Sequence, residues 1–148
     1  MIYCVSLIVF ILDIVSKGFA TTYLTAHTPV ALLPIFNLYL TYNSGVSFSM
    51  LSAHSELGIA LLIGTALAIC LGIIYMIHHE KNKLVRIALA MILGGALGNI
   101  LDRLRYGAVV DFLDFHWQRY HFPAFNLADS AICIGAGLIL LQILRRKK

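Results

Sequence analysis

Charge is what this sequence lacks most. Asp, Glu, Lys and Arg make up only 12% of its 148 residues, about half the usual share. A soluble domain of this length has too little interior to hide a chain that is 60% hydrophobic, so the composition predicts an integral membrane protein. Cysteine is scarce as well. Cys4, Cys70 and Cys133 are odd in number and each falls in an apolar run, which predicts buried, unpaired thiols rather than a disulfide framework. The histidines lack metal-ligand spacing: there is no HExxH, and His78 and His79 are adjacent, so neither a metal nor another cofactor is expected. A GxSxG elbow is also missing. Ser16 and Lys17, as helical neighbours, face apart and make a poor Ser/Lys dyad. The net charge of +4 does not point to nucleic acid, because most basic residues flank apolar runs or sit in the terminal "RRKK". With no internal repeat and no low-complexity run, residues 1–148 read as a single domain.

What the sequence does have is apolar length. "LGIALLIGTALAICLGIIYMI" at 57–77 is uncharged and long enough to cross a bilayer. Further spans are read at 84–101 and 127–144. The first, at about 3–23, must carry Asp13 and Lys17 at or inside the membrane. It lacks the positive leading region of a cleaved signal peptide. The expected fold class is therefore an all-α integral membrane protein with four transmembrane helices and a small extracytoplasmic β-sheet and loop region. Lys81, Lys83 and Arg86 between the second and third spans, and Arg145 to Lys148 at the end, place that side and both termini in the cytoplasm by the positive-inside rule. Residues 24–56 and 102–126 then form outer loops. Within them "NLYLTYN" alternates as a half-buried strand does, and "AVVDFLDFHW" reads as extended. Tyr39, Tyr42, Phe112, Phe115, Trp117, Tyr120 and Phe122 suit a belt at the headgroups.

The few acids each have a plain reading beside a chemical one. Glu80 sits in the cytoplasmic loop, and Glu56 suits a helix start. Asp13 and Lys17, four apart with the acid first, read as an ion pair on one helical face. Asp102 and Arg103 close the third span, where the helix dipole opposes the acid. Asp102 therefore calls for a cationic partner, either Arg105 or Lys17. Arg103 either anchors the headgroup region or binds a carbonyl-rich or anionic ligand through its planar fork. Gly94, Gly95 and Gly98 permit close approach to the third helix. Asn126 to Asp129 has the spacing of a helix cap, so Asp129 either completes a helix start or does chemistry. Asp111 is harder to dismiss, and Asp114 offers it a like charge nearby. Two carboxylates held together at a poorly hydrated membrane edge share a proton, the arrangement that activates water against a peptide carbonyl.

The motifs "DIVSK", "GNILDR", "VVDFLDF" and "FNLADSAI", in that order over nearly the whole chain, resemble those of the lipoprotein signal peptidase (signal peptidase II) family, bacterial membrane aspartic peptidases. The resemblance implies cleavage of a diacylglyceryl-modified prolipoprotein on the amino side of its lipidated cysteine, in the bacterial inner membrane near its outer face. It implies Asp111 and Asp129 as the catalytic acids. It also places Asn43, Gly95, Asn99, Asp102, Arg103, Asn126, Ala128, Asp13 and Lys17 at structural or substrate-contacting positions. Membrane lipids and globomycin-like cyclic peptide inhibitors are the partners it implies. Where the family commonly has Asn-x-Gly-Ala-Ala-Phe, this chain has "NSGVSF". Val46 and Ser47 replace two alanines, a change that bears on the shape of the substrate groove or its lid and not on catalysis. From other classes, a small transporter or channel would use Asp13, Lys17, Asp102 and Arg103 as an ion path, and an assembly factor would use the acids only as caps and anchors.

Overall fold

The computed structural model describes residues 2–45 and 55–146. Residues 46–54, which hold Val46, Ser47 and Phe48 of the "NSGVSF" motif, and the final Lys147 and Lys148 lie outside the described residues. Four helices account for the apolar runs: α1 (Ile2–Tyr23), α2 (Glu56–His79), α3 (Lys83–Tyr106) and α4 (Leu127–Arg146). They are 22, 24, 24 and 20 residues long, or about 30–36 Å at 1.5 Å per residue, enough to cross a hydrocarbon core. Among the described residues, these four are long and apolar enough to span a membrane.

Local chemistry sets the helix ends. Ser55 caps α2 by accepting from the Gly58 N–H, and Asn82 caps α3 by accepting from Leu84 and Val85. Helix α3 does not stop at 101 as its charges suggest. It runs one turn further, to Tyr106, and ends at Gly107, whose φ of 68° is the left-handed conformation that glycine adopts without cost. Asp102 is therefore inside the last turns of the helix rather than beyond them. Arg103 and Arg105 occupy the last turn, where the dipole favours them.

Helix α3 is the central element and packs against the other three. Its small residues make this possible: a side chain at Gly94 would meet the Ser6 carbonyl of α1, and one at Gly95 the Ala128 carbonyl of α4. The apolar core on the α2 side is built from Cys70, Ile73, Ile77, Val85, Leu89 and Leu93. Leu7, Ile8, Leu12 and Phe19 of α1 and Leu140, Leu141 and Leu144 of α4 point outward, as lipid-facing side chains do. All three cysteines are unpaired, but only Cys70 is buried; Cys4 and Cys133 lie on the protein surface, because the helical faces that carry them have no protein neighbour.

The two long connections, one between α1 and α2 and the other between α3 and α4, meet as an antiparallel sheet at one end of the helices. Its order is β1 (Val30–Leu33), β2 (Phe36–Asn43), β3 (Val109–Trp117), β4 (Tyr120–His121). The central pairing sets Thr41 opposite Asp111 and Asn37 opposite Asp114. The N–H groups of Phe112 and Leu113 both donate to the Phe125 carbonyl, at 3.0 and 2.8 Å. This is a β-bulge, which turns two consecutive side chains to one side of the sheet. That side is apolar: Val110, Phe112, Leu113, Leu38 and Leu40 pack beneath it with Ala20 of α1. Phe112 thus belongs to the core, at 7% exposure, and not to an aromatic belt; Trp117, Tyr120 and Phe122 are exposed.

Candidate active site

The site lies where the top of α3, the start of α4 and the middle of β3 converge on α1. Its buried cation is Lys17. The ammonium Nζ lies 2.7 Å from Asp13 Oδ2 and 2.7 Å from Asp102 Oδ2, and donates to Asn99 Oδ1 at 2.9 Å. Lys17, rather than Arg105, is the cation that Asp102 required. The i, i+4 spacing on α1 aligns the first pair, and the missing side chain of Gly98 leaves room for the Asp13 carboxylate. Each acid then reaches one further element. Asp13 Oδ1 accepts the Ala128 N–H at the start of α4 at 2.9 Å, and Asp102 Oδ2 accepts the Val110 N–H of β3 at 3.1 Å. Both oxygens of Asp13 and Oδ2 of Asp102 are therefore paired, as buried charge demands.

Asn126 and Asn99 sit above this cluster. Asn126 does cap α4: its Oδ1 accepts the Asp129 N–H at 2.8 Å. Its Nδ2 donates to Asp111 Oδ1 at 2.7 Å. Asn99 Nδ2 donates to Asp129 Oδ1 at 2.8 Å, and the two amides touch through Asn126 Nδ2 and Asn99 Oδ1 at 3.3 Å. Asp111 and Asp129 are thus bridged by a pair of amides, each donating to one carboxylate. The capping reading of the 126–129 spacing and the chemical one hold together. Asn43 of β2 completes the cradle by donating to Asp111 Oδ2 at 3.1 Å.

Asp111 is 1% exposed. Burial pushes its carboxyl up to about 6, and the neighbouring Asp129 charge acts in the same direction. Hydrogen bonds from Asn43 and Asn126, and the more distant Lys17, pull against it. Arg103 lies within Coulomb range of Asp129, Asp102 and Asp111. It donates through Nη1 to the Asn99 carbonyl at 3.2 Å, while its buried Nε has no partner among the described residues.

The site residues named from the sequence all reach this region. Asp13, Lys17, Asn43, Asn99, Asp102, Asp111, Asn126 and Asp129 form one hydrogen-bonded cluster, Gly95 and Ala128 are the backbone contact between α3 and α4, and Arg103 borders it. Asp114 does not supply Asp111 with a like-charged neighbour. It binds Asn37 Nδ2 at 2.9 Å and His121 Nδ1 at 2.9 Å instead. Burial alone would raise the Asp114 carboxyl, but these donors hold it below the ordinary carboxylate value. Sequence reasoning passed over Asn37 and His121. No local sequence pattern marks them: it is the Trp117–Tyr120 turn, with Gln118 at φ 54°, that returns the chain so that His121 pairs with His116.

The family model described as "Signal peptidase (SPase) II" matches residues 5–145 of the chain. The lipoprotein signal peptidase of Polynucleobacter necessarius is 46% identical over 96% of this chain and 88% of its own length. That of Burkholderia vietnamiensis is 48% identical over 96% and 86%. Among solved structures, a bacterial membrane enzyme superposes with a TM-score of 0.85 at 28% identity, covering 98% of this chain and 88% of the other. A second superposes with a TM-score of 0.82, also at 28% identity. The transporter and assembly-factor alternatives are set aside accordingly. The chain, a multi-pass membrane protein, belongs to the signal peptidase II family of lipoprotein signal peptidases, which are aspartic-type peptidases.

Proposed function

We propose that Asp111 and Asp129 are the catalytic dyad of this peptidase. On this reading, one domain spanning 1–148 cleaves a diacylglyceryl-modified prolipoprotein on the amino side of the lipidated cysteine. The observation that carries it is the amide bridge, Asp111–Asn126–Asn99–Asp129, which holds two carboxylates together where α4 meets the sheet. Sharing one proton is the inexpensive state for such a pair. Asp111, almost fully buried and raised to about 6, is the acid that keeps the proton. Asp129 is the ionised base.

Asp129 takes a proton from water as the oxygen attacks the scissile carbonyl, while Asp111 donates to the carbonyl oxygen. The tetrahedral intermediate then collapses. The proton now on Asp129 passes to the departing amine, and Asp111 recovers its own from the hydroxyl it had protonated. Arg103, with a free Nε beside the dyad, holds a substrate carbonyl. Lys17, Asp13 and Asp102 position the acids through Ala128 and Val110. The sheet lies on the outer face of the inner membrane with both termini inside, so the diacylglyceryl chains stay among lipid while the peptide bond reaches the dyad. Globomycin-like cyclic peptides occupy the same cleft.

The test is a mobility-shift assay on a diacylglyceryl-modified prolipoprotein in detergent, comparing wild type, Asp111→Asn and Asp129→Asn. Loss of cleavage in both variants, with thermal melting retained, is expected. Cleavage surviving in either would remove that aspartate from the mechanism.

A further inference from the structure

A second buried carboxylate lies on the same strand as Asp111, and the mechanism leaves it unused. Asp114 is 4% exposed and accepts from Asn37 across the β2–β3 pair and from His121 on β4. Two donors converge on this carboxylate and hold it below its ordinary value, and an ionised carboxylate only accepts, so His121 Nδ1 carries the hydrogen. The imidazole is therefore held in one orientation with Nε2 directed away from Asp114. The ring is about half exposed. It borders a recess of about 460 Å³ whose other walls include Pro29, Tyr39, Phe122 and Pro123.

The bulge at Phe112 and Leu113 determines which way this recess faces. Because those two side chains both turn into the apolar layer, Asp111 and Asp114 emerge on the opposite side of β3. Three residues of strand separate them by about 10 Å. The Asp114 wall of the recess thus lies about three extended residues along the strand from Asp111, on the same face of the sheet.

We infer that the Asp114–His121 recess is a subsite for the substrate chain downstream of the scissile bond, which lies extended over the sheet with a backbone amide or carbonyl on His121 Nε2. The inference rests on the peptidase reading above. Cleavage separates an apolar segment that belongs in lipid from a chain that must leave on the sheet side. The downstream residues are the ones that pass over β3. Aromatic and proline walls suit an extended backbone of varied sequence, and an oriented imidazole accepts from N–H or, when protonated, donates to C=O.

The experiment compares two diacylglyceryl-modified substrates, one ending in an amide directly after the lipidated cysteine and one continuing for ten residues. Full-length enzyme in detergent is assayed as wild type, His121→Ala and His121→Gln. Wild type is expected to show a lower KM for the long substrate. His121→Ala should raise that KM about tenfold, the value of one hydrogen bond to an oriented group, with kcat within about twofold. The short substrate should be unaffected, and His121→Gln should recover part of the loss. Equal effects on both substrates, or none on either, would overturn the subsite. A photo-crosslinking residue placed three positions after the cysteine gives a readout on unaltered enzyme. Attachment at Tyr39 or at 121–124 is expected, and attachment confined to the helices would overturn the inference. Cleavage persisting in Asp111→Asn or Asp129→Asn would instead count against the dyad.

Discussion

Asp13 of α1 accepts a hydrogen bond from the Ala128 N–H of α4 at 2.9 Å, across 115 residues of chain. This bond fixes the first turn of the helix that presents Asp129. Its counterpart runs from the Val110 N–H to Asp102, one residue before Asp111. Lys17 holds both anions at 2.7 Å, so one buried ammonium sets the positions of both proposed catalytic acids.

Lys17→Met removes that ammonium and leaves Asp13 and Asp102 uncompensated in the interior. Breaking a buried ion cluster on one side costs about 3–5 kcal/mol. The variant should melt well below wild type in detergent and lose cleavage. Adding Asp102→Asn to Lys17→Met should recover part of the melting temperature, because it removes one of the stranded charges. It should not restore activity.

Much of this arrangement was legible in the sequence, for reasons of period. Alternation exposed β2 as a strand, and the four-residue spacing of Asp13 and Lys17 made them a pair. The end of α3 was misplaced because Asp102 and Arg103 read as a membrane boundary, whereas Lys17 neutralises Asp102 from another helix. No local pattern could choose between Arg105 and Lys17, 85 positions from Asp102. The contact of Asp114 with Asn37 and His121 depends on the bulge and on strand register, which a linear pattern does not encode.

The pH dependence follows from Asp111 as the proton holder. Its carboxyl is raised to about 6, so the free enzyme loses the needed proton as pH rises through that value. The kcat/KM profile should decline on the alkaline side with a midpoint near 6. The kcat profile should decline at higher pH, because bound substrate excludes further water from the acid.

Asn43→Ala and Asn126→Ala separate two roles of the amides. Both donate to Asp111, and such donation favours the ionised form, so removing either should move the alkaline limb of kcat/KM upward. Only Asn126 also caps α4. Asn126→Ala should therefore lose about 1 kcal/mol of stability that Asn43→Ala keeps. Melting curves and pH profiles of the two variants check this together.

Gly95→Ala and Gly137→Ala lie on neighbouring helices but should behave oppositely. A side chain at Gly95 would sit 2.5 Å from the Ala128 carbonyl and 3.0 Å from Ile132 Cγ1, so α3 and α4 must separate at the turn that carries Asp129. At Gly137 nothing lies within 4 Å. The first should lower the melting temperature and cut kcat by an order of magnitude or more, since small misplacements of catalytic groups are costly, about 100-fold per ångström. The second should leave both within error of wild type.

Burial of Asp111 also links activity to stability. Its carboxyl titrates near 6 in the folded protein against an ordinary value of 3.8, so the folded state binds this proton more tightly than the unfolded one. The contribution to folding is fully present below 3.8 and is lost as pH rises through about 6, a swing of about 3 kcal/mol. Asp111→Asn carries no such titration. Whatever its melting temperature at pH 4, it should gain on wild type as pH is raised to 7, with most of the gain between 4 and 6. A constant difference across that range would mean that the carboxyl is not perturbed, and the assignment of Asp111 as the resting acid would pass to Asp129.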